Sequence, residues 1–134
     1  MIIDKYLYFR TVDDEDADDG SDDSVYVPVR SITGIETATT TTVKIYFNQL
    51  YNQQGGNEEE DMLNDNVTLN VTAGKTKQVI RSIVQAINSN KLYTDGVIVV
   101  ADDVVTNLAN DTVSAKYIDS GITSCGAISV DTAF

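Results

Sequence analysis

The sequence predicts an α+β, β-rich domain: mostly antiparallel sheet, sandwich-like or barrel-like, with one amphipathic helix at about residues 75–88 packed on it. Two observations predict it. Asn66-Val67-Thr68-Leu69-Asn70-Val71-Thr72 alternates with period two and puts Val67, Leu69 and Val71 on one buried face. The period then turns helical once, where Val79, Ile80, Ile83, Val84 and Ile87 form an apolar stripe opposite Lys77, Arg81 and Gln85. With 134 residues, 1–134 reads as a single domain able to bury roughly two-thirds of its unfolded surface, so no metal or disulfide staple is required.

Taken in order, Lys5-Tyr6-Leu7-Tyr8-Phe9-Arg10 alternates and is aromatic, which predicts a strand anchoring the N-terminus in a sheet. An acidic loop follows at 13–23, with eight carboxylates in eleven positions. Val25-Tyr26-Val27-Pro28-Val29-Arg30 resumes a strand, and Pro28, which lacks an N–H, places it at a sheet edge or a strand start. Residues 32–35, with a bend at Gly34, lead through a Thr-rich stretch to a strand at 43–47. A second loop, polar and acidic, spans 48–65 around Glu58-Glu59-Glu60-Asp61. Beyond the helix, which Asn88-Ser89-Asn90 ends, Val97-Ile98-Val99-Val100-Ala101 reads as a central strand covered on both faces. Residues 113–118 and 127–130 supply two more, making roughly seven strands.

Composition narrows function by elimination. Histidine is absent, which closes Ser-His and Cys-His nucleophiles and His-built metal sites. A net charge of −12 repels phosphate backbones and anionic membranes, so neither nucleic acid nor membrane is expected as a partner. Asp4 would interrupt the apolar core of a secretion signal and no run reaches ~20 apolar residues, so synthesis in a cytoplasm is expected. In that setting Asn66-Val67-Thr68, Asn70-Val71-Thr72 and Asn110-Asp111-Thr112 read as chance glycosylation triplets. The lone Cys125, among Ile122, Ala127 and Ile128, reads as a small buried hydrophobe.

Four patterns invite a chemical reading. Residues 13–20 invite calcium, but counting from Asp14 puts Asp19 at the invariant glycine of an EF-hand and Val25 at its bidentate acid, so a solvated acidic loop fits better. Gly74-Lys75-Thr76 between strand and helix, with Val97 to Asp102 as a magnesium strand, invites a P-loop. Leu69 occupies the place of its first glycine, and a helix-entry turn is the better account. Tyr117-Ile118-Asp119-Ser120-Gly121 is similar to the aspartic-protease signature, yet only thirteen residues follow, and a β-turn between strands explains it. Paired-carboxylate sugar hydrolysis stays open on composition, although no tryptophan is present to floor a sugar site. No catalytic, cofactor-binding or metal residue is assigned, no cofactor is expected, and the chain is expected not to be an enzyme.

The order Lys5-Tyr6-Leu7-Tyr8-Phe9-Arg10-Thr11, acidic loop, Ser31-Ile32-Thr33-Gly34, Ile83-Val84-Gln85-Ala86-Ile87-Asn88-Ser89, Asp95-Gly96-Val97-Ile98-Val99-Val100-Ala101-Asp102 and Ile122-Thr123-Ser124-Cys125-Gly126-Ala127-Ile128 resembles small head-associated virion proteins of marine tailed phages, of the cyanophage type. The resemblance implies a decoration or cement protein on the capsid exterior. Its partner would be the major capsid protein, with homo-oligomers on the lattice. A tail or fibre adaptor is the alternative within the virion. A small calcium-binding module or a carboxylate-dependent hydrolase is the alternative of another class.

Overall fold

The computed structural model describes residues 5–12, 18, 20, 23–48, 65–88, 96–105 and 114–130, and among these residues it has eight strands, one α-helix and a 3-10 turn at Val29–Ser31. The strands are β1 (Tyr6–Arg10), β2 (Ser24–Pro28), β3 (Ile32–Thr39), β4 (Thr42–Phe47), β5 (Asp65–Val71), β6 (Val97–Asp102), β7 (Lys116–Tyr117) and β8 (Ile122–Ser129), and the helix α1 is Thr76–Asn88. One sheet runs β2-β1-β6-β7 and the other β3-β4-β5-β8. Of the six pairings, five are antiparallel and only β1 with β6 is parallel. The predicted β-rich α+β class is the one found, and the barrel-like variant is not: the sheets do not close on each other.

One core joins the two sheets and the helix. Leu7, Phe9, Val25, Val27, Ile98 and Val100 come from the first sheet. Val43, Ile45, Phe47, Val67, Leu69, Val71, Ile122, Cys125 and Ile128 come from the second, and Val79, Ile83 and Ala86 from α1. The predicted alternation of β5 holds, with Val67, Leu69 and Val71 buried between half-exposed Asn66, Thr68 and Asn70. The outer face of this second sheet is accordingly polar, and Asn70 Nδ2 donates to Ser124 Oγ at 2.9 Å across the β5 and β8 ladder.

Several boundaries differ from expectation. The loop 48–65 gives up its last residue to β5, because Asp65 pairs with Phe47 and is 2% exposed. Residues 49–64 and most of 13–23 lie outside the described residues. Gly34 does not end a segment: β3 runs through it to Thr39, and the pairing with β4 shifts register between Ile32 and Gly34 instead. Val84 leaves the apolar stripe and is 41% exposed, while Ala86 takes a place in the core. β6 is an interior strand, yet Val97 and Val99 are only half-buried, so only one face is fully covered. The strand expected at 113–118 shrinks to Lys116–Tyr117, and the one expected at 127–130 is the end of a longer strand starting at Ile122.

Pro28 closes the edge strand β2 at its C-terminal end. Val29 N–H donates to the Lys5 carbonyl and Thr11 N–H to that of Asp23, so odd-numbered residues of this strand face β1. Ser24, Tyr26 and Pro28 therefore turn their backbone groups to the open edge. Ser24 N–H donates to Gly20 and the Pro28 carbonyl accepts from Ser31 Oγ, which leaves Tyr26 as the one residue able to exchange a full ladder pair there.

Candidate functional site

The densest polar constellation gathers at the C-terminal ends of β1 and β6. Their register places Arg10 beside Asp102, 92 positions apart in sequence. Arg10 Nε and Nη2 donate to Asp102 Oδ1 and Oδ2, both at 3.0 Å, the two-pronged geometry that favours guanidinium with carboxylate. Its Nη1 reaches Asp18 Oδ2 at 3.3 Å, and Ser24 Oγ donates to Asp18 Oδ1 at 2.7 Å. The guanidinium also stands 5.6 Å over the Tyr8 ring, which packs against Tyr26 at 4.6 Å between centroids. Burial, reinforced by the charges of Asp102 and Asp18 against that of Arg10, pushes the Tyr8 hydroxyl up to about 12. Arg10 is held above its usual range, chiefly by the hydrogen bond to Asp102.

Asp103, next along the chain, ties the two sheets together. Its Oδ1 accepts from Tyr117 Oη at 2.7 Å and from the Cys125 backbone N–H at 2.9 Å. Thr11 Oγ1 donates to the Cys125 carbonyl at 3.0 Å, so both backbone groups of that β8 residue are met by side chains from the first sheet. Burial and the hydrogen bond to Asp103 raise the Tyr117 hydroxyl well above its ordinary value. Burial first, then the charges of Asp103 and Asp102, pushes the Cys125 thiol up to about 12. The reading of Cys125 as a buried hydrophobe therefore stands. Iodoacetamide is expected to label Cys125 in the native protein no faster than the chain opens, and at the rate of a free thiol in urea, as mass spectrometry would count.

Asp119 is a structural clamp between the β7 to β8 turn and the helix. Its Oδ1 accepts from the Gly121 N–H at 2.7 Å and from Gln78 Nε2 at 2.8 Å, and its Oδ2 from Ser82 Oγ. Burial works to raise its pKa, but the three hydrogen bonds and the nearby Lys75 charge outweigh it and hold the carboxyl below its ordinary value. The protease-like triplet is thus the β-turn expected from its composition.

A folded-state pKa below the unfolded one gives stability present above the unfolded value, near pH 4, and lost as pH falls through the folded value. Asp119→Asn is expected to lower the urea midpoint at pH 7 by the equivalent of about 1 kcal/mol, since the amide still offers one acceptor. The gap to wild type should narrow below pH 4.

Gly74-Lys75-Thr76 is likewise a helix entry. Gly74 takes φ +84°, Lys75 N–H donates to the Thr72 carbonyl, and Thr72 N–H is already given to Gly121. Gly74, Lys77, Gln78 and Arg81 line an open depression of about 360 Å3. Asp102, the would-be magnesium ligand, is engaged by Arg10 instead. Among the described residues no group of three or more His, Cys, Asp or Glu side chains is placed to hold a metal ion. None of the described helices is long and apolar enough to cross a membrane.

The fold and this site together define a β-rich α+β domain whose described carboxylates at the sheet ends and turns are spent on internal bonds. Comparison with protein-family models, with curated proteins and with solved structures finds no match. The Arg10 to Asp102 pair and the Asp103 bridge carry no local sequence signal, because each depends on strand pairing between distant segments. The one clue was the acid at the end of an apolar strand, which Asp102 and Asp103 both fit.

Proposed function

We propose that the chain is a non-enzymatic virion structural protein that binds the outer surface of a phage capsid as a decoration or cement protein, with the major capsid protein as its partner. The observation that carries this reading is charge. At −12, the protein is repelled by the packaged polyanion inside a shell and tolerated outside it. The engagement of Asp102, Asp103 and Asp119 in internal hydrogen bonds supports a binding role over a carboxylate-driven one.

In this reading the acid-dense stretches 13–23 and 58–61 face solvent, apart from Asp18, which Arg10 and Ser24 hold. Less charged edges face the shell, at 25–29 or along 37–43. The second offers the longer strand edge, since β3 runs for eight residues and ends in an exposed Thr39-Thr40-Thr41 turn.

Co-sedimentation with undecorated capsids, titrated to saturation and repeated with EDTA, tests it. Saturable binding at a lattice stoichiometry is the expected result, unchanged by EDTA. Failure to bind sinks the proposal, and saturation at only a few copies per particle assigns the protein to a tail or fibre position.

A further inference from the structure

The two sheets end in four edge strands, and the chain restricts three of them. On β2, Ser24 N–H is given to Gly20 and the Pro28 carbonyl accepts from Ser31 Oγ. On β8, the Cys125 N–H and carbonyl are met by Asp103 Oδ1 and Thr11 Oγ1. The strand β7 is only two residues long. The exception is β3, which runs for eight residues and is rich in the β-branched types that favour strands.

Register decides which groups of β3 are open. Val71 N–H donates to the Thr41 carbonyl, so odd-numbered residues of β4 turn their backbone groups to β5 and even-numbered ones to β3. Gly34 and Glu36, opposite Tyr46 and Lys44, therefore bond inward, whereas Ile32, Ile35 and Thr37, opposite Phe47, Ile45 and Val43, turn outward. Ile32 N–H is already given to the Val29 carbonyl. That leaves Ile35 and Thr37, whose outward groups bond to nothing among the described residues. Register shifts between Ile32 and Gly34 and between Thr37 and Thr39 frame this window.

The side chains of the window add a chemical pattern. Glu36 is exposed on the outer face of the sheet, opposite Lys44, and its Oε1 accepts from Tyr46 Oη at 2.7 Å. Ile35 turns to the other face, where it is half-buried against the core and where α1 packs on β3.

We infer that the Ile35 to Thr37 edge receives an extended segment of another protein, added antiparallel to β3, with apolar side chains opposite Ile35 and Thr37 and a basic one opposite Glu36. Two residues with free N–H and carbonyl groups at alternate positions are the recognition pattern of an added strand. The residue set against Glu36 occupies a non-hydrogen-bonded pair, with Cα atoms about 4.5 Å apart, where opposite charges attract and like charges destabilise the ladder. That condition disfavours a second copy as occupant. Two β3 strands using both open residues would set Glu36 against Glu36, between molecules that each carry −12. The inference rests on the proposed function only in naming the major capsid protein as the source of the segment.

Nuclear magnetic resonance titration of the 15N-labelled full chain with a capped peptide, Thr-Val-Thr-Val-Lys-Val-Thr-Val-Thr, tests it. Saturable shifts and slowed hydrogen exchange are expected at the Ile35 and Thr37 amides and not at Tyr26. Replacing the central lysine of the peptide with glutamate should weaken binding about fivefold, and Glu36→Lys should invert that preference. Thr37→Pro removes an N–H that the native ladder does not use and should abolish binding, with circular-dichroism melts establishing that it folds. The inverted preference of Glu36→Lys serves if it does not. No saturable shift at millimolar peptide overturns the inference, as do shifts centred on Tyr26 or equal affinity for the lysine and glutamate peptides. Self-association that Thr37→Pro abolishes would overturn it in favour of a second copy. Thr37→Pro in the capsid co-sedimentation assay separates the two claims. Peptide binding without capsid binding leaves the strand-docking edge standing and removes the capsid as its source, whereas capsid binding unchanged by Thr37→Pro overturns the edge as the shell-facing surface.

Discussion

Phe47→Ala is expected to cost about 3–5 kcal/mol, a large part of the roughly 5–15 kcal/mol that holds a domain folded. Phe47 is fully buried at the end of β4, where it pairs with Ile32 of β3 and Asp65 of β5. Truncation removes most of its apolar surface and leaves a void among backbone ladders that cannot collapse without breaking their hydrogen bonds. Equilibrium urea unfolding followed by far-ultraviolet circular dichroism measures the loss. Val84→Ser is the matching control: at 41% exposure, it should change stability by no more than about 0.5 kcal/mol. Equal losses for the two would show that the core is not centred on this sheet.

Gly126→Ala is expected to destabilise by about 1–3 kcal/mol although it adds a single methyl group. A Cβ at this position would stand 2.8 Å from the Thr68 carbonyl oxygen and 3.3 Å from its carbon. Both are backbone atoms of the neighbouring strand, so relief requires β5 and β8 to separate. The pairing between them is already irregular there, shifting register between Val67 and Leu69. Hydrogen exchange should show faster opening at Leu69 and Cys125, with a lower melting temperature. Gly34→Ala gives the contrast, since a Cβ there meets nothing within 4 Å, and no loss is expected.

The strands and helix were largely legible because each is written in local periodicity. The two-residue alternation of 66–72 and the switch to helical period after Lys75 identify β5 and α1 without knowledge of their neighbours. Where the reading failed, a neighbour decided. Val84 is as apolar as Ile83, but nothing in the fold stands over its side of the helix. Asp65 reads as loop from its side chain, yet the β4 ladder recruits it opposite Phe47. Residues 113–118 read as a strand by hydrophobicity, but the ladder with β6 is short: Lys116 and Tyr117 pair with Asp102 and Ala101, and Ile118 N–H adds one bond to the Val100 carbonyl. The polar constellation was less legible still. Arg10 and Asp102 meet because β1 and β6 pair in parallel, and no pattern in either segment announces that pairing. Asp119 was legible as a turn residue from Asp-Ser-Gly composition, while its bonds to Ser82 and Gln78 were not.

The parallel pairing of β1 with β6 also has a bearing on how the protein is made. Tyr6 must wait for Val97, and in the other sheet Asn66 must wait for Ser129. A growing chain can close the β1 and β2 hairpin and the β3 to β5 meander early, but the first holds an open flank until β6 emerges and the second until β8, the last strand, has left the ribosome. Maturation is therefore a whole-chain event, slow for a molecule of this size, in which the early hairpins are scaffolds waiting for the C-terminal quarter to arrive. A nonsense codon before Val97 would leave both sheets short of a strand, and one between β6 and Ile122 would still leave β5 without β8, delivering the fragment to proteolysis instead of a smaller working domain.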